Sequence, residues 1–219
     1  IQENAFKNCK YLQNFEISCN LQKNVFSNKI ATFLSNKISE DYNEECDNQS
    51  AFLMKPFIRH IPSCSFVYSE IKEIIIPSSV IQIDKYAFCN CSINKISIPC
   101  NVEIIDDFAF SNCSRLNCIE FSEKSNLRYI GMRSFSETAI KSISIPLYVK
   151  VIGQQAFSDC YDLQKVTFSQ SSELSIIDRR AFFKTKLETI SIPDSVLFIG
   201  DLCFSNCENP KRNDLKLQK

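Results

Sequence analysis

The sequence predicts a repeat solenoid built mostly of short strands and turns. Three observations predict it. The phenylalanine of an Ala-Phe pair, or of its equivalent, recurs at Phe66, Phe88, Phe110, Phe135, Phe157, Phe182 and Phe204, at intervals of 22, 22, 25, 22, 25 and 22 residues. A period of that length marks a stack of supersecondary units, none of which buries its apolar face alone. Upstream of each phenylalanine, isoleucines alternate with period two, as at Ile74/Ile76, Ile96/Ile98, Ile143/Ile145 and Ile190/Ile192. Such alternation reads as a short strand with one buried face. Prolines then stop those strands at Pro77, Pro99, Pro146 and Pro193, because proline has no N–H for the ladder.

Each element of the unit follows. After the proline turn, Val and Ile stand three apart (Val80/Ile83, Val102/Ile105, Val149/Ile152, Val196/Ile199) and point back into the core from the opposite wall. The two 25-residue units carry one extra residue before the strand, between Cys113 and Leu116 and between Cys160 and Leu163. They also replace the proline turn by polar loops from Phe121 to Leu127 and from Phe168 to Leu174. The strands at 74–76, 96–98, 119–121, 143–145, 166–168 and 190–192 are expected to form one parallel sheet, with Phe110 and Phe157 buried in the stack.

The best-preserved unit runs from Leu187 through Ile190, Ile192 and Pro193 to Ile199-Gly200, Cys203-Phe204 and Cys207. With its equivalents it resembles the leucine-rich repeats of the BspA type, found in surface antigens of bacteria and in surface-protein families of protozoan parasites. The resemblance covers residues 51–207 and, less clearly, 1–20. It implies a right-handed curved array with a parallel β-sheet on the concave face, a place on the cell surface or outside the cell, and adhesion to host cells or matrix. Fold alone does not fix a partner.

Taken in order, residues 1–20 read as the end of a truncated repeat plus one strand. Glu3 to Cys9 is already a repeat ending and the chain opens on Ile1 rather than Met, so it reads as a fragment cut within an array. Residues 21–50 read as an irregular insertion or degenerate repeats, residues 51–207 as the array of seven units, and residues 208–219 as a polar tail or cut edge. Lys+Arg and Asp+Glu balance at 25 each, so no strong field draws nucleic acid or an acidic membrane. Three glycines and no Gly-rich phosphate motif leave no nucleotide cradle. No apolar run approaches the roughly 18 residues a spanning helix needs.

Twelve cysteines invite a metal or disulfide reading, and the columns answer it. Three residues after the phenylalanine stand Ser69, Cys91, Cys113, Thr138, Cys160, Thr185 and Cys207. A zinc ligand or an obligatory disulfide cannot be exchanged for Thr, so these are read as packing thiols. Cys203, in the alanine slot, is read likewise, and Cys89-x-Cys91 lacks the spacing of zinc and redox motifs. His60, the only histidine, is expected to face outward, and Asp106/Asp107 are expected to lie solvated on the outer turn. No acid–base pair or Cys–His pair converges. The expectation is a chain with no enzymatic activity, no cofactor and no metal. Asn48, Asn90 and Asn112 head glycosylation sequons, of which Asn48 is the reasonable acceptor if the chain is secreted.

The leading functional reading is therefore a binding module for a protein or glycan partner. Residues between the inward isoleucines face out in two strips, Ala51, Glu73, Lys95, Cys118, Ser142, Lys165, Thr189 and Leu53, Ile75, Ser97, Glu120, Ser144, Thr167, Ser191. Leu53 and Ile75, side by side, need a cover, either the segment 21–50 or a ligand. The candidate binding residues are Lys95, Ser97, Glu120, Ser142, Ser144, Lys165 and Thr167. The alternatives are a structural spacer in a surface stalk and an intracellular interaction scaffold.

Overall fold

The computed structural model describes residues 52–53 and 57–207. Within them the chain winds as a parallel β-solenoid, with thirteen short strands and no helix. On the first wall lie β1 (Phe52–Leu53), β3 (Ile74–Ile75), β5 (Lys95–Ile98), β7 (Cys118–Phe121), β9 (Ser142–Ile145) and β11 (Lys165–Phe168). On the second lie β2 (His60–Ile61), β4 (Gln82–Ile83), β6 (Ile104–Ile105), β8 (Tyr129–Ile130), β10 (Val151–Ile152), β12 (Ile176–Ile177) and β13 (Phe198–Ile199).

The core fills from both walls as the isoleucine columns require. Ile96, Ile98, Ile143 and Ile145 enter from the first wall and Ile83, Ile105, Ile130, Ile152 and Ile177 from the second, all buried. The phenylalanine column closes the third side. Its seven rings run face to face with centroids 4.9 to 5.6 Å apart and planes within 8° of parallel. That spacing is the inter-strand repeat plus a small offset. The longer units do not disturb it, since Phe110 and Phe135 remain 5.2 Å apart. In their loops Ser122 and Ser169 stand in register with the prolines, and the chain turns over the three residues that follow, with Ser125 N–H reaching the Ser122 carbonyl and Ser172 N–H the Ser169 carbonyl. The Ser125 and Ser172 hydroxyls accept from the N–H of Leu127 and Leu174, each 3.3 Å away, and both leucines drop fully buried into the valine column.

The turn around each phenylalanine is the most regular backbone in the molecule. The residues two before and two after it are left-handed in every unit, as with Tyr86 (φ 59°) and Asn90 (φ 57°), and none is glycine. Left-handed L-residues cost roughly 1–2 kcal/mol each, and the ladder offsets that. Three N–H groups per turn, at those two residues and at the phenylalanine, donate to three carbonyls of the following turn. Examples are Tyr86 to Asp107 (3.1 Å), Phe88 to Ala109 (2.7 Å) and Asn90 to Ser111 (2.9 Å).

The hydrogen-bonded sheets differ from expectation. The unbroken ladder is on the second wall, where all seven strands pair in sequence. The first wall is divided into β1–β3, β5–β7 and β9–β11. Ile98 and Ile145, expected on one sheet, lie in separate ladders, and residues 190–192 form no strand although Ile190 and Ile192 are packed inward. Two of these gaps fall where a 25-residue unit hands over to a 22-residue one. Unit length alone does not set the gaps, since β5–β7 and β9–β11 also place a proline turn beside a polar loop and stay paired over four residues. The β3/β5 gap joins units of equal length. There Asn94 N–H still reaches the Lys72 carbonyl at 2.9 Å, and the strands separate beyond it. The expectations for residues 1–50 and 208–219 lie outside the described residues.

Candidate binding face

The period-two alternation of the first wall places the candidate residues as the sequence requires. Lys95, Ser97, Glu120, Ser142, Ser144 and Lys165 are exposed and Thr167 is half-buried. Register then groups them. Ser97 stands opposite Glu120 across β5–β7. Ser142 stands opposite Lys165, and Ser144 opposite Thr167, across β9–β11. The Lys95 ammonium lies 2.7 Å from Glu120 Oε1, and the Ser97 hydroxyl donates to Glu120 Oε2 at 3.3 Å. The hydrogen bond from Lys95 holds the Glu120 carboxyl below its ordinary pKa, and the same bond raises that of Lys95. Ser144 and Thr167 share a 2.8 Å hydrogen bond. The break between β7 and β9 separates the two groups, so the strip is two clusters rather than one.

Beside the first cluster is a groove of about 500 Å³, lined by Ile75, Ser97, Pro99, Glu120, Phe121 and Ser122 among others. It opens where β3 and β5 part. Ile75 is 53% exposed. Its backbone partner Leu53 has its side chain outside the described residues, as does the proposed covering segment 21–50.

The cysteine column is structural in detail. The thiols of Cys113 and Cys160 donate to the phenylalanine carbonyls one turn back, Phe88 at 2.9 Å and Phe135 at 3.1 Å. Thr138 and Thr185 direct their hydroxyls to the carbonyls of Phe135 and Phe182 in their own turns, at 2.9 and 3.1 Å. A hydroxyl and a thiol therefore meet the same need. Burial pushes the thiols of Cys91 and Cys160 up to about 11. Among the described residues Cys91, Cys100, Cys113, Cys118, Cys160, Cys203 and Cys207 are in no disulfide, and no group of His, Cys, Asp and Glu is placed to hold a metal.

His60 lies on the outward side of β2, opposite the buried Ile61, half-exposed with Nδ1 3.4 Å from Asp84 Oδ1 in the next turn, and one outward expectation is corrected. Asp106 and Asp107 are half-buried ties rather than solvated groups. Asp106 Oδ1 accepts from the Asp107 N–H at 2.7 Å, Asp107 Oδ1 accepts from the Met132 N–H at 2.8 Å, and Asp107 Oδ2 faces Lys85 at 3.3 Å. The sequon residues Asn90 and Asn112 bond to one another through their side chains; Asn48 lies outside the described residues.

A second outward surface escaped the sequence reading. On the seven-stranded wall Ile104, Tyr129, Val151 and Ile176 form a half-exposed apolar column that ends at exposed Phe198. Beyond it Tyr86 stacks on Phe108 at 4.8 Å, and the Arg133 guanidinium lies 5.9 Å from the Phe108 centroid. These positions are the variable ones of the repeat, and only their vertical alignment gives the signal.

A parallel solenoid of six or seven turns with an exposed sheet face is the architecture of a leucine-rich-repeat scaffold. The chain belongs to the family described as BspA type Leucine rich repeat region, which matches in 6 copies over residues 1–94, 36–146 and 82–211. It is similar to the pneumococcal vaccine antigen PcpA, with 27% identity and a TM-score of 0.53, over 69% of this chain and 34% of that one. It also shares its fold with a leucine-rich repeat protein from Eubacterium ventriosum, at 24% identity and a TM-score of 0.62, over 71% of this chain and 42% of that one. The chain thus spans less than half the length of either protein. No curated protein matches it.

Proposed function

We propose that the chain is a non-enzymatic binding module of a surface protein, which recognises a protein or glycan partner through its first wall and contributes to adhesion to host cells or matrix. The observation that carries the reading is the outward presentation of Lys95, Ser97 and Glu120 as one cluster and of Ser142, Ser144, Lys165 and Thr167 as a second. The family is one of repeat scaffolds, and the likeness to a pneumococcal vaccine antigen supports the surface location. Polar clusters of this kind bind weakly and with salt sensitivity, and many copies on a surface strengthen them by avidity.

The test is adhesion by a folded Lys95→Glu/Lys165→Glu double mutant to host cells or matrix. Loss of adhesion supports the reading. Undiminished adhesion together with loss on substituting Arg128 or Arg179 moves the site to the second wall. The spacer reading draws on the interruption between β7 and β9, since a spacer needs no continuous face. It is favoured if neither set of substitutions changes adhesion.

A further inference from the structure

We propose that Asn112 is the acceptor of an N-linked oligosaccharide when the chain is exported through a pathway that transfers such sugars from a lipid-linked diphosphate. Its neighbour Asn90, which heads the same motif one turn earlier, is not. The proposal rests on the surface reading for the route of the chain and on local geometry for the choice of residue.

The buried cysteine in the middle of each motif counts against both asparagines in the sequence. The structure removes that objection at one of them. Cys113 is fully buried and its thiol turns inward to the Phe88 carbonyl, while Asn112 and Ser114 on either side of it are exposed. Ser114 and Arg115 form an exposed turn at the extra residue that this longer unit carries before β7. An exposed Asn-x-Ser on a surface turn is the arrangement a glycan acceptor needs. The repeat itself does not call for these residues. Tyr68, Glu137, Asp159 and Lys184 hold the left-handed position of Asn112 in other units, and Glu70, Ala139, Tyr161 and Lys186 hold the position of Ser114.

Asn90 is placed differently. It is half-buried, its amide nitrogen lies 3.1 Å from Cys89 Sγ, and its side-chain oxygen accepts from the Asn112 amide. Ser92 is half-buried and its N–H donates to the Ser69 carbonyl at 2.8 Å. A glycan is bulky and must lie outside the packed fold. Neighbouring turns stand about 4.8 Å apart, which leaves room on this ridge for one branched sugar and not for two. In the transfer the Asn112 amide nitrogen bonds to the anomeric carbon of the first sugar and loses one proton. The bond from that carbon to the lipid diphosphate breaks, and the diphosphate leaves with its electron pair. One N–H stays on the nitrogen, enough to keep a hydrogen bond to Asn90.

The experiment is expression of the full chain behind a cleavable signal sequence in cultured animal cells, with folded protein recovered from the medium. Peptide N-glycosidase in heavy-oxygen water converts each glycosylated asparagine to labelled aspartate, and trypsin separates the two motifs into residues 86–95 and 96–115. The expected result is label at position 112 and none on residues 86–95. Ser114→Ala, an exposed change that leaves Asn112 in place, abolishes the label, and Ser114→Thr retains it, both at unchanged melting temperature. An unmodified Asn112 in the secreted chain, equal label on the two peptides, or label that survives Ser114→Ala overturns the proposal. An unlabelled secreted chain does so without touching the surface reading. A labelled secreted chain beside an unlabelled one isolated from its own cells leaves Asn112 the acceptor and overturns export by that route.

Discussion

The Cys160 thiol donates to the Phe135 carbonyl at 3.1 Å while the Thr138 hydroxyl donates to the same oxygen at 2.9 Å, so that one carbonyl joins two turns through two different side chains. The pair explains why thiols and hydroxyls interchange along one column. Both are small and both carry one donor. Cys160→Thr and Cys113→Thr should therefore change stability by less than about 1 kcal/mol, and Cys160→Val, which leaves the Phe135 carbonyl still holding the Thr138 hydroxyl, should cost about 0.5–1.5 kcal/mol, the net worth of one hydrogen bond. Denaturant titration of the three variants measures it.

The same thiols make stability fall at alkaline pH. A free thiol starts near 9 and the folded Cys160 is held up to about 11 by burial. The folded state thus binds its proton more tightly than the unfolded chain. That contribution is fully present below about 9 and is lost as pH rises through about 11. Melting temperature should drop across this window, and drop less in Cys160→Thr. An equal drop in both would show that other groups govern it.

Phe110 is fully buried between Phe88 and Phe135, at 4.9 and 5.2 Å. Phe110→Ala should cost ~3–5 kcal/mol and raise hydrogen exchange in the turns on both sides. A loss under about 1 kcal/mol would mean that the stack relaxes around the cavity as no close-packed core does.

Glycine at 200 and 153 answers to space and not to a left-handed backbone. A Cβ on Gly200 would lie 2.2 Å from the Arg179 nitrogen, and one on Gly153 would lie 2.9 Å from the Gly131 carbonyl carbon. Alanine at either position must push two turns apart. Gly200→Ala should be the worse, with both costing about 1–3 kcal/mol. Thermal unfolding of the two single variants orders them.

Much of this was legible in the sequence because inward positions are chemically monotonous. The isoleucine and phenylalanine columns gave the register, and Lys95, Ser97 and Glu120 followed by alternation. What was not legible depends on where two backbones run relative to each other. Pro146 and the loop after Phe121 each read correctly as a turn, but whether two neighbouring strands stay paired is a property of the pair, since β9 ladders with β11 and not with β7. The apolar column Ile104–Tyr129–Val151–Ile176 was hidden because its members occupy variable positions and differ in type. Asp107 looked like a solvated surface acid because the atom it serves, the Met132 N–H 2.8 Å away, lies 25 residues downstream.

The ladder of left-handed turns gives the molecule a sense of direction. Every seam from the Phe66 turn to the Phe204 turn sets three amide donors against three carbonyls of the turn that follows. A whole unit added or removed leaves each remaining seam matched, and this holds for units of 22 and of 25 residues alike. Two such surfaces of the same kind brought face to face would oppose N–H to N–H. Length in this architecture is therefore a freely adjustable quantity, while head-to-head joining through these turns is forbidden by the backbone itself.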